Sequence, residues 1–348
     1  EEIPGNTASH AADVRHICDC ALKGDVFKGR LQRAFGFQRG VIDHGVFDAN
    51  GRASTVGVGV YGGAVLAHWD YTRDAEGSVI DLTRGSGTTV GTDRSFSYGI
   101  GSDLVELTDV TTPANSAQFG YDPGGHPTVL GDATQTFTPS GELCWSAPTT
   151  AVAPGSGCDS TPPAGATSYT YDARGLRVEG QWSWLNQSFT WDANNQLTAA
   201  SVAGLPNLDA TYVNAADGLR TSKTVDGVTT TFAWDVTAPV AQLVQDGNNY
   251  YLYGPDGLPT QRVGASATMF LHQDAYGSPR LTTDTTGTVP STQTFDAWGN
   301  PQTTTGTPPS LGWNSQYHDN ETGLYYLRNR HYDPTTGQFT TPDPMFSL

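Results

Sequence analysis

One motif recurs along this chain at a steady interval: an aromatic residue, one spacer, a second aromatic, Asp, and a Gly three residues on. It reads Tyr169-Thr-Tyr171-Asp172-Ala-Arg-Gly175-Leu176, then Phe189-Thr-Trp191-Asp192, and later Phe295-Asp296-Ala-Trp-Gly299. The marker positions after residue 170 are 172, 192, about 214, 235, about 255, 274, 296 and 319, a step of 20 to 23 residues. A fixed period of that size marks a repeat architecture. The aromatic alternation is strand patterning with one face buried. Asp followed three residues later by Gly predicts a type I turn, with the carboxylate accepting turn amides and Gly taking positive φ. Each repeat is therefore read as a β-hairpin whose aromatic pairs stack on those of the next, and stacking buries a face that one hairpin cannot bury alone.

Composition supports an all-β chain. Among 348 residues there are 41 Gly and 21 Pro, and only 36% are hydrophobic. No apolar run is long enough to span a membrane as a helix. A net charge of −17 excludes nucleic acid as an expected partner, because phosphate binding needs basic patches. Residues 57–62 fit G-x-G-x-x-G, but a strand pattern follows where the nucleotide motif requires a helix. Neither a metal nor a cofactor is expected. The run His16-Ile-Cys18-Asp-Cys20 lacks the spacing of a zinc pair, which leaves free thiols or partners elsewhere. Cys144 and Cys158 bracket a Pro/Gly-rich loop and are expected to form a disulfide, in keeping with a secreted or cell-surface setting. The chain lacks an initiator Met and a signal peptide, and is expected to be a fragment or processed form.

Three regions are expected. Residues 1–45 contain the one helical pattern, within 11–37. Residues 46–302 carry the repeats, interrupted by a loop at 145–167. Residues 303–348 open with a Thr/Pro linker and depart from the simple repeat.

That last region reads Tyr317-His-Asp319-Asn-Glu321-Thr-Gly323-Leu-Tyr325-Tyr326-Leu-Arg328-Asn-Arg330-His-Tyr332-Asp333-Pro334, and continues to Asp343-Pro344. It resembles the RHS-repeat-associated core, and the hairpins before it resemble YD repeats, from about residue 45 to 348. The resemblance implies a sheet that spirals into part or all of a hollow cocoon, of the kind found in bacterial polymorphic and insecticidal toxins and in teneurins. It also implies a C-terminal effector as cargo, absent from this chain, together with that effector's immunity or delivery partners. Release by an aspartic-protease-like self-cleavage follows from the same likeness. The implied catalytic pair is Asp319, matched to a D-P-x-x-G element, and Asp343, matched to D-P-x-G-L, with cleavage after Leu348. Asp319 is followed by Asn320 where the pattern has Pro, and Phe346 stands where it has Gly. Two such carboxylates work by sharing one proton, so that one activates water while the other polarises the scissile carbonyl. Arg328 and Arg330 are candidates to shift their acidity. The cocoon is expected to need self-association or further shell segments to close. The alternative function is an extracellular adhesion or carbohydrate-binding module, motivated by the expected Cys144–Cys158 bridge and the eight Trp as stacking platforms; a third is an inert scaffold in a larger assembly.

Overall fold

A computed structural model of the chain describes residues 31–38, 41–60, 64–85, 91–99, 101–149, 158, 161–181, 186–204 and 208–343. From Leu31–Gln38 to Pro301–Thr305, 25 strands form one antiparallel sheet in which each strand pairs with its neighbours in sequence. The two end strands do not pair with each other among the described residues, so the sheet stays open. A separate four-stranded meander follows: Tyr317–Asp319, Leu324–Tyr326, His331–Asp333 and Gln338–Phe339.

The turn chemistry explains the hairpins. The Asp172 carboxylate accepts the amides of Arg174 at 2.9 Å and Leu176 at 3.0 Å. The Gly175 N–H donates to the Asp172 carbonyl at 3.0 Å, with Gly175 at φ +76°. A one-residue register shift between Thr170 and Tyr171 completes a type I turn closed by a bulge. The same carboxylate-to-amide bonds recur at Asp48, Asp122, Asp192, Asp274, Asp284 and Asp296. At Asp192 the positive φ of +62° falls on Asn195, a residue that tolerates it.

The two aromatics of each motif do different jobs. The first is buried in the sheet's inner face, as at Tyr169, Phe189, Tyr212, Phe232 and Tyr251. The second uses its polar tip. Trp191 Nε1 donates to the Arg177 carbonyl at 2.7 Å, Trp234 Nε1 to Arg220 at 2.7 Å, Tyr121 Oη to Leu104 at 3.0 Å, and Tyr253 Oη to Leu243 at 2.8 Å. Neighbouring repeats are thus tied by hydrogen bonds to the preceding hairpin's backbone, more than by the ring stacking expected from sequence. That use suits Tyr or Trp at the second position of those four repeats, whereas the repeats at Asp48 and Asp296 carry Phe there.

The sheet coils until its two ends meet. Leu281 packs with Val41, Val58, Trp69, Tyr71 and Val79. The Ala275 amide donates to Tyr71 Oη at 3.0 Å, and Arg94 Nη1 donates to the Phe295 carbonyl at 2.8 Å. Inside the coil, the segment 311–343 lies against the middle of the wall. Leu311, Tyr317 and Tyr326 share a cluster with Phe232, Leu243 and Tyr251, while Leu324 joins that of Phe189 and Tyr212. Burying one such aromatic or Leu contributes about 1.5–3 kcal/mol. This segment is a stopper, packed by the wall on the sheet's inner face.

Two expectations are revised here. Most of the helical pattern, with Cys18 and Cys20, lies outside the described residues, but its end is strand: Leu31–Gln38 pairs with Val41–Phe47. Internal glycines weaken a helix, and Ala34-Phe35-Gly36-Phe37 can alternate instead; the sheet therefore begins well before residue 46. The G-x-G-x-x-G run starts in the strand Ala53–Val60, where a side chain at Gly57 would collide with the His44 ring. Cys144 and Cys158 form the expected disulfide, with Cα atoms 5.7 Å apart.

Candidate functional site

A heavily charged buried cluster lies where the stopper meets the wall, and Asp319 is at its centre. Asp319 ends the strand Tyr317–Asp319 and heads a tight turn, its carbonyl accepting the Gly323 amide at 2.8 Å, with Gly323 at φ +74°. Unlike the wall aspartates, it does not spend its carboxylate on the turn. Arg220 Nη1 donates to Oδ1 at 2.7 Å and Nη2 to Oδ2 at 2.8 Å, a bidentate pair, and Lys223 Nζ donates to Oδ1 at 3.0 Å. Lys223 also reaches Glu321 at 2.9 Å, and Tyr212 Oη donates to Glu321 at 3.0 Å. Two cations thus face two carboxylates with no net charge.

The Arg220 guanidinium lies between two rings, 4.4 Å from the Tyr212 centroid and 4.2 Å from that of Tyr326. Its backbone amide donates to Tyr326 Oη at 2.8 Å. Both Arg220 and Asp319 are sealed from solvent, at 1% and 0% side-chain exposure. Burial by itself drives a carboxyl upward, but the Arg220 and Lys223 charges override it and hold Asp319 well below the usual carboxylate range. His331 completes the cluster. Its Nε2 faces Arg220 Nη2 at 3.1 Å and can only accept there, which fixes the neutral ring with its proton on Nδ1. Burial, then the Arg220 charge, depress His331 to about 3, against a smaller opposing pull from Asp319.

A second anchor repeats the first. Arg177 Nη1 donates to Asp333 Oδ2 at 2.7 Å, its guanidinium lies 4.6 Å from the Tyr169 ring, and its amide donates to the Thr340 carbonyl at 2.9 Å. Arg177 and Arg220 occupy the same place in their repeats. Each follows Gly-Leu, each offers its carbonyl to the next repeat's Trp, and each is carried by the first aromatic of its motif. Sequence reading passed over both. The available signal was Gly-Leu-Arg occurring twice, with Arg at an inward-facing strand position, in a chain of only 18 Lys and Arg.

Asp343 is placed elsewhere. Its carboxylate pairs with Arg330 Nη1 at 3.1 Å, and Arg330 lies 3.7 Å from the Phe339 ring. Asp319 makes no bond to Asp343; its oxygens are taken by Arg220 and Lys223. A proton-sharing dyad is therefore not formed in this structure, where Asp319 is held ionised by Arg220 and Lys223. Of the two arginines singled out from sequence, Arg330 does pair with Asp343, whereas Arg328 bonds the Ala241 carbonyl and Gln316. Leu348 lies outside the described residues. Asp333-Pro334-Thr-Thr-Gly337 meets the D-P-x-x-G pattern in full, including the Pro that Asp319 lacks, yet its carboxylate is also held by an arginine. No described Trp is exposed, so the stacking platforms that motivated carbohydrate binding are not found among the described residues, and that alternative is not favoured. No helix among the described residues is long and apolar enough to cross a membrane.

Known proteins share this pattern. Residues 46–348 match the family model described as Teneurin YD-shell. The tRNA nuclease WapA of Bacillus subtilis (strain 168) is 33% identical over 186 residues, covering 51% of this chain and 8% of that protein. The double-stranded DNA deaminase toxin A of Burkholderia cenocepacia (strain H111) is 25% identical over 308 residues, 76% of this chain and 21% of that protein. A crystal structure of TcdB2-TccC3-Cdc42 aligns over 87% of this chain and 20% of that chain, at 14% identity and a TM-score of 0.43. The chain spans 8% and 21% of the length of those two curated relatives. With the family model covering nearly all of the wall and all of the stopper, this chain belongs to the Teneurin YD-shell family, as an RHS/YD-repeat shell protein.

Proposed function

We propose that this chain is the closing end of a bacterial, secreted toxin shell, in which the coiled sheet is wall and residues 311–343 are a stopper that bars the interior. The observation that carries the reading is the sealed ion cluster joining Asp319 and Glu321 of the stopper to Arg220 and Lys223 of the wall. Removing one partner of such a buried pair leaves an uncompensated charge and costs about 3–5 kcal/mol, so the pairing fixes where the stopper sits on the wall. Relatives named as a tRNA nuclease and a DNA deaminase toxin support a cargo function, with the effector as the polypeptide that such a shell would carry.

The role we assign to Asp319 is anchoring. Self-cleavage near Leu348 by an Asp319–Asp343 pair would first require Asp319 to leave both cations. Asp343, half-exposed beside Arg330, is the carboxylate better placed to act on a peptide. Two measurements test these statements. Limited proteolysis of the Asp319→Ala chain should cut within 311–343 at protease levels that leave the native chain intact; equal resistance removes the anchoring role. Intact mass of a chain extended past Leu348, beside its Asp343→Asn and Asp319→Asn forms, tests cleavage. Full length in all three denies proteolysis. Loss of the extension in the native form alone restores the two-aspartate reading.

A further inference from the structure

Where the two ends of the sheet meet, one buried cation has a single long ion pair and a ring 5.5 Å away, that of Phe295, but no hydrogen bond among the described residues. Arg280, on the strand Pro279–Thr283, is 8% exposed. The other arginines at this seam are well served. Arg94 donates to Asp109, to the Phe295 carbonyl and to Gln302, and Arg84 is paired with Asp93. Arg280 makes no hydrogen bond among the described residues; its nearest carboxylate oxygen is Asp274 Oδ2, at 3.5 Å. Asp274 in turn directs its other oxygen to the turn amides of Tyr276 and Ser278, both at 3.0 Å. A guanidinium carries five N–H donors, and those of Arg280 have no hydrogen-bond acceptor among the described residues.

Those donors border open space. Arg280 and Trp69 line two cavities, of about 230 and 340 Å³. The smaller is walled by aromatic rings, among them Phe96, Phe295 and Trp313, with Arg94, Asp274 and Asp296 also in its lining, and Tyr276, 57% exposed, joins it to the surface. Drug-sized ligands occupy about 300–1,000 Å³, so this space admits one ring with a short acidic arm and excludes a peptide with its flanking residues. A planar guanidinium with free donors matches a carboxylate in bidentate fashion, and the aromatic walls suit an apolar ring. The geometry points to a binding site for a small aromatic carboxylic acid, with its carboxylate on Arg280 and its ring against Trp69 and Phe295. Trp313 of the stopper forms part of this site, which does not depend on the shell carrying a toxin.

Phenylacetate is the probe, titrated into the full chain by calorimetry and by ligand-observed NMR, with phenylacetamide as the neutral isostere. The expected result is saturable phenylacetate binding, with the amide weaker by about tenfold or more because it cannot form the charged pair. Arg280→Gln should abolish that preference, and Arg280→Lys should keep part of it. Equal affinity for acid and amide in the native chain overturns the proposal, as does no saturable binding at 10 mM probe, a level of about 10 mM being where affinities this weak still register. Because the acid–amide comparison is made on the unaltered protein, a variant that fails to fold leaves the test intact.

Discussion

Asp172 in the wall and Asp319 in the stopper each head a turn that a positive-φ Gly closes, three residues on in the first and four in the second, yet their carboxylates have opposite uses. Asp172 is 25% exposed and closes its own turn by accepting two local amides. Asp319 is fully buried and accepts from Arg220 and Lys223, 99 and 96 residues away in sequence. The first use is local and shared among repeats, so each instance is individually dispensable. The second is non-local and sealed, so its loss strands a charge. A repeat aspartate becomes a critical residue when the wall supplies a buried cation opposite it.

That contrast can be broken by mutation. Asp319→Ala should destabilise the chain by about 3–5 kcal/mol in urea unfolding, since Arg220 loses its anion while still enclosed by Tyr212 and Tyr326. A loss under 1 kcal/mol would put Asp319 on a level with the wall. Arg177→Met should cost less, about 1–3 kcal/mol, because one guanidinium nitrogen serves Asp333, which keeps its Thr335 bonds. Trp234→Phe, which retains the ring and removes only the Nε1–H bond to the Arg220 carbonyl, should cost about 1 kcal/mol. Asp172→Ala should fall below about 1 kcal/mol, as its contacts are exposed and screened.

Acid sharpens the same comparison. His331 is neutral in the fold and depressed to about 3, against an ordinary value of 6.5. A depressed value means the unfolded chain binds the extra proton first. The stability from a neutral His331 is fully present above 6.5 and lost as pH falls from 6.5 toward 3. Asp319, held below its ordinary range, stays ionised through that window, and its contribution is lost only in stronger acid. Urea midpoints measured from neutral pH down to about 4 should therefore fall for the native chain and fall less for His331→Gln. Parallel curves would remove His331 as the cause.

The wall was legible in the sequence because its chemistry is local: the aromatic alternation, the Asp and the Gly of one hairpin lie within eight residues, from Tyr169 to Leu176. The stopper was legible only as a departure from the repeat, and its four short strands were not. The role of Asp319 was not, because nothing near it in sequence distinguishes a turn aspartate from an anchor; the distinction lies at Arg220. The helical reading that reached Phe35 failed where pairing with Val41–Phe47 outweighed a weak propensity. Arg177 and Arg220 looked like ordinary returning-strand residues until the fold turned them inward.

The nearest-neighbour order of the sheet has a consequence for how the molecule comes into being. A chain synthesised from its N-terminus can pair each wall strand with the previous one as it emerges, since no strand waits for a distant mate. The two anchoring arginines do wait. Until residues 319 and 333 arrive, Arg220 and Arg177 have no anion to justify their burial, so the inner face stays open to water. Assembly is thereby ordered in time: the wall can form stepwise, and its two inward arginines are neutralised only when residues 319 and 333 arrive.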